Sequence, residues 1–151
     1  MLGTSVSAHK ATVLRPGASG PAVRALQRAL GIGVDGRFGR VTAATVKAFQ
    51  KARTLPVTGI VDRRTWTAVE LVAHPLVPHR RTVLKVGSRG AAVAAVQKAL
   101  KLQADGAFGA KTRAAVAAAQ TKGKLAPTGT VDVRTWVSIE KQVYPLGVKR
   151  W

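Results

Sequence analysis

The chain repeats itself. Leu14 and Leu84, Gly17 and Gly87, and Trp66 and Trp136 each stand 70 positions apart, and the two stretches align without a gap. About half of the positions from Thr12 to Glu70 are identical to their partners from Thr82 to Glu140. A fixed period over this length is the mark of a duplicated structural unit. The 151 residues are therefore read as two modules, 12–73 and 82–143, rather than one larger domain. An N-terminal arm, 1–11, precedes them, a Pro-rich linker, 74–81, joins them, and a tail, 144–151, follows. The register continues beyond the modules, because His74-Pro75-Leu76 aligns with Tyr144-Pro145-Leu146. That continuity fits a linker packed on each module, or a longer parent protein with more units.

Each module reads as three helices. The first follows Ser19-Gly20, with Pro21 suited to an opening turn, where its missing N–H is no loss. Val23, Leu26 and Leu30 then recur at helical spacing, as do Val93, Val96 and Leu100. A loop with Asp35-Gly36 and Phe38-Gly39 leads to a second helix, Arg40 to about Ala52, with Val46 and Phe49 inward. Asp62 is placed to cap a third helix carrying Trp66 and Val69. Strand signals are scarce, and only Gly59-Ile60-Val61 is expected to pair briefly. The fold class is all-α, two small three-helix bundles in tandem. A module of about 60 residues buries only around 60% of its unfolded surface, so the glycines and Asp-Gly turns that let short helices close on a small core carry weight.

The chemistry available is narrow. With no Cys in the chain, disulfide frameworks, thiolate metal sites and thiol nucleophiles are excluded together. The longest uncharged runs, such as Leu71–His79, reach about half of the ~18 apolar residues that a membrane span requires. No apolar stretch precedes Val6-Ser7-Ala8, so no secretory leader is expected within this sequence. The six acids are Asp35, Asp62 and Glu70 with their repeat partners Asp105, Asp132 and Glu140. A catalytic constellation built wholly from duplicated positions is unusual. Asp62, Asp132, Glu70 and Glu140 read as structural, while Asp35 and Asp105, in Asp-Gly turns, fit either a turn or a ligand contact. His9 lies in the N-terminal arm, and His74 and His79, five residues apart around two prolines, are a weak metal hint. No catalytic residue, metal site or cofactor is expected.

A longer pattern gives the sequence a family likeness. It runs Leu14, Gly17, Gly20, Val23, Gln27 and Leu30, then Asp35-Gly36, Phe38-Gly39 and Thr42, then Val46, Phe49-Gln50, Gly59, Val61-Asp62 and Thr65-Trp66. In this order and spacing it resembles the three-helix peptidoglycan-binding domain, and the second copy retains nearly all of it. The resemblance implies non-covalent attachment to bacterial cell wall, beside a fused or associated hydrolase or wall-remodelling enzyme, and an extracellular location. It also implies a shallow ligand groove at the second helix N-terminus, which places Asp35, Phe38, Gly39 and Thr42, with Asp105, Phe108, Gly109 and Thr112, at the binding surface. Free N–H groups at a helix start suit the carboxylates and amide carbonyls of a stem peptide. Replacing Phe38 and Phe108 together is expected to abolish wall binding and preserve helicity.

Two features complicate that reading. Phe49 becomes Ala119 in the second copy, beside Ala117 and Ala118; loss of an inward ring is expected to make the second module less stable, or to change its binding. The formal net charge is +19, spread over both modules, and it fits anionic wall polymers such as teichoic acids. On charge alone it fits nucleic acid equally. Against nucleic acid stand the sparse aromatics, since Trp66 and Trp136 sit at core spacing, and the lack of a reader motif. The alternative of another class is a structural anchor in a larger assembly that meets a cell wall, such as a phage or injection particle.

Overall fold

The computed structural model describes residues 6–147, 149 and 151. The chain divides into two compact units, one holding the residues up to His74 together with Leu146–Trp151, the other Pro75–Pro145. Six α-helices dominate the described residues, three per unit: α1 (Pro21–Leu30), α2 (Arg40–Ala52) and α3 (Arg63–Ala73), then α4 (Ala91–Ala99), α5 (Ala110–Lys122) and α6 (Val133–Val143). Among the described residues there is no β-strand. Isolated antiparallel bridges, Leu14 to Val61 and Ser19 to Arg37, with Leu84 to Val131 and Arg89 to Ala107 in the second unit, hold the loops together. The expected brief pairing near Val61 is the first of these.

The helices begin and end where local chemistry dictates. Pro21 opens α1, and Gly31, at φ 73°, closes it with its N–H on the Arg28 and Gln27 carbonyls. Asp62 and Asp132 cap α3 and α6, each side chain accepting from the N–H three residues on, Thr65 and Thr135. The first core gathers Val23, Leu26 and Leu30 from α1, Val46 and Phe49 from α2, and Trp66 and Val69 from α3. Trp66 and Trp136 are wholly buried. Each satisfies its indole N–H on a backbone carbonyl, Thr12 and Thr82, at 2.7 Å.

The arm and the linker are parts of the modules. Val6 and Leu76, again 70 apart, are both buried, and each leads into a short 3₁₀ turn, Ser7–His9 or Val77–His79. His9 lies against Trp66 and His79 against Trp136, with ring centroids 6.2 and 5.8 Å apart. Behind each turn a buried glutamate gathers the segment in. Glu70 accepts from Ser7 and pairs with Lys10 at 2.7 Å, and Glu140 pairs with Arg80 and accepts from the Leu76 N–H at 3.0 Å. Such partners offset the cost of burying a carboxylate this deeply. Among the described residues, the correspondence between the two copies thus reaches back at least to Val6. Lys10 answers to Arg80 and Val6 to Leu76, exchanges that keep the chemistry and lose the letters.

Candidate functional site

The loop that carries the expected site residues is built around a buried glutamine. Gln27, on the inner face of α1, is 1% exposed. Its Nε2 donates to Asp35 Oδ1 at 2.9 Å, to the Arg37 carbonyl at 3.0 Å and to Thr42 Oγ1 at 3.1 Å, while its Oε1 accepts the Gly36 N–H at 3.0 Å. Gly36 has a φ of 76°, a left-handed conformation that costs a side-chain-bearing residue and that glycine adopts freely. One amide side chain therefore ties α1, the turn and the first turn of α2 into a single unit. Gln97 repeats the arrangement with Asp105, Gly106, Ala107 and Thr112.

The same staple occurs again inside each module. Gln50 donates to Thr58, to the Ile60 carbonyl and to Thr65, and accepts the Gly59 N–H; Gln120 does so with Thr128, Thr130, Thr135 and Gly129. From Gln27 to Gln50, from Gly36 to Gly59 and from Thr42 to Thr65 the offset is 23 residues. The four glycines share φ values of 76°, 76°, 74° and 75°. Val23-x-Ala25-x-Gln27-x-Ala29 against Val46-x-Ala48-x-Gln50-x-Ala52 carries this inner repeat in sequence; the 70-residue period, far stronger, masks it.

The inner repeat separates what is structural in the loop from what is special to it. Thr58 stands where Asp35 does, and its hydroxyl accepts from the Ile60 N–H as Asp35 Oδ1 accepts from the Arg37 N–H. The turn therefore requires an acceptor there and not a charge. The Arg37 N–H and then the Gln27 amide hold the Asp35 carboxyl below its ordinary range, as the Ala107 N–H and Gln97 do for Asp105. Phe38 and Phe108 are 2% and 3% exposed, inside the two cores, so their rings anchor the loop from within. Thr42 and Thr112 are likewise buried, on the glutamines. Asp35, Gly39, Asp105 and Gly109 lie at the surface, with Arg37, Arg40 and Val41 beside the first pair.

The second difference is at the helix start. By the 23-residue register Gly39 corresponds to Asp62, and Gly109 to Asp132. Asp62 and Asp132 cap their own helices, whereas α2 and α5 begin at Gly39 and Gly109 with no side-chain cap. No side chain therefore caps the first N–H groups of α2 and α5, and exposed Arg37 and Arg40 lie beside the start of α2 and exposed Lys111 beside that of α5.

A family profile described as "Putative peptidoglycan binding domain" matches twice, over residues 19–69 and 89–139. No curated protein matches the chain. Among solved structures, a peptidoglycan-binding protein from Clostridioides difficile in complex with glutamine hydroxamate shares 35% identity, with a TM-score of 0.40, over 42% of this chain and 44% of that one. The matched region is thus less than half of that protein's length. The two profile matches begin and end at the same repeat positions and together span more than half of the sequence; the chain belongs to the peptidoglycan-binding domain family and carries the domain twice.

Proposed function

We propose that the chain is a non-catalytic wall-binding protein that holds peptidoglycan at the α2 and α5 N-termini, tethering itself or a fused or associated wall-remodelling enzyme. The observation that carries this reading is the uncapped start of α2 and α5 beside the self-capped start of α3 and α6. Backbone donors left open in a rigid, glutamine-stapled loop suit the carboxylates and amide carbonyls of stem peptides. In this reading Asp35 and Asp105 keep Oδ2 for an N–H of the ligand, and Gly39 and Gly109 let it approach the backbone. Phe38, Thr42, Phe108 and Thr112 act from beneath, by fixing the loop. Two linked sites raise retention through effective concentration even when each is weak. The positive surface adds salt-sensitive attraction to anionic wall polymers.

The test is co-sedimentation with purified sacculi, native and stripped of teichoic acid, at physiological salt. The double substitution Gly39→Asp and Gly109→Asp copies the caps of α3 and α6. Both glycines have ordinary negative φ values, −102° and −108°, and a Cβ at either meets nothing within 4 Å. The variant is expected to melt at or above the parent temperature and to lose binding to both preparations. Full retention on stripped walls would remove the helix-start site. Loss on stripping alone, in the parent protein, would make polyanion attraction the main function.

A further inference from the structure

The two modules differ at the position just before the second stapling glutamine, Phe49 in one and Ala119 in the other. In the first, Phe49 is wholly buried and Trp151 meets it edge-on, centroids 5.3 Å apart at 85°. The Trp151 indole N–H points to the Leu30 carbonyl at 3.4 Å, and Lys149 Nζ lies 4.5 Å over the indole ring. In the second module Ala119 replaces Phe49. A hollow of about 490 Å³ remains, with Leu100, Ala115, Ala118 and Ala119 in its wall and Lys101 and Lys122 among its lining residues. These lysines stand where the first module has Gly31 and Ala52.

We propose that this hollow docks an acidic peptide segment of a partner protein through an aromatic side chain. The first module demonstrates that the corresponding surface seats an indole, using a carbonyl that belongs to Leu100 in the second. Removing the phenylalanine deepens the seat and leaves methyl groups that lack contacts on one side. The rim then selects the partner by charge. Lys101 and Lys122 form no ion pair among the described residues, and they favour carboxylates flanking the ring. The chain's own tail offers Lys149-Arg150-Trp151, an aromatic flanked by charges of the same sign as the rim, so a second copy is a poor occupant.

Isothermal titration of the full chain with acetyl-Asp-Glu-Trp-Asp-Glu-amide tests this. Binding is expected to be at least about tenfold tighter than for the same peptide with Ala in place of Trp, and tighter than for acetyl-Gly-Val-Lys-Arg-Trp. Ala119→Phe, which restores the ring of the first module, should weaken binding at least about tenfold while holding or raising the melting temperature. Ala118→Glu, at an exposed position, should give the same loss without touching the core. Lys101→Gly with Lys122→Ala should weaken binding several-fold and flatten its salt dependence. Sacculus pelleting by Ala119→Phe should be unchanged. Equal affinity for the Trp and Ala peptides, equal affinity for the basic peptide, undiminished binding by both alanine-site variants, or loss of pelleting by a folded Ala119→Phe protein would each overturn the proposal.

Discussion

The two modules share a skeleton and differ in how it is filled. Their stapled loops, capped third helices, buried tryptophans and buried glutamate ion pairs correspond position for position. Yet one bundle closes on Phe49 and Trp151, and the other keeps a hollow over Ala119. The difference teaches that the polar staples, rather than the volume of the core, define this fold. Four buried glutamines specify where helices start and how loops turn, because each buried amide must be satisfied in one geometry. The apolar filling is free to vary once that frame is in place.

The sharpest way to break the comparison is to make the first module like the second. Phe49→Ala removes a fully buried ring and the partner of Trp151, and should destabilise the first module by about 3–5 kcal/mol. Calorimetry should then resolve a low-temperature transition for the first module alone, and an unchanged single melt would mean that the ring contributes little. A smaller effect tests the shared frame. Asp62→Ala and Asp132→Ala each remove a cap with the same geometry, so each should cost about 1 kcal/mol in urea denaturation. Markedly unequal values would show that the modules differ in more than their filling.

The smallest effect is in acid. N–H donors hold Asp35 below the ordinary carboxylate value of 3.8 in the first module, and Asp105 and Asp132 below it in the second. For Asp132 the Thr135 N–H is the main cause. A depressed folded-state pKa contributes stability that is complete above the unfolded value and is lost as pH falls through the folded one. Both modules should therefore hold their melting temperatures down to about pH 4 and lose stability below it. Melting temperatures that stay level well below that pH would sink the prediction.

Most of the frame was legible in the sequence, because capping residues and apolar spacing act locally. Gly20-Pro21, Asp62 and the Val23, Leu26, Leu30 series placed helix starts and faces without reference to anything distant. The first residues of each module were not legible, since Lys10 and Arg80 act through an ion pair with a glutamate some 60 positions away, which no local pattern reports. The site was half legible. Asp35 and Gly39 lie at the surface as the family likeness implies, but Phe38 turns inward, a choice between anchor and platform that depends on which face of the loop the core covers. The hollow was foreshadowed by Ala119, while its lysine rim became visible only when Gly31 and Lys101 were seen to occupy one place.

Trp151 and Leu30 are 121 positions apart, and that separation has a consequence in time. At roughly 5–20 residues per second on the ribosome, α1 exists some 6–24 s before the indole that finishes its module has been made. The second module meanwhile needs no residue beyond Pro145 and can assemble as it emerges. Of the two modules, the one made first is thus completed second.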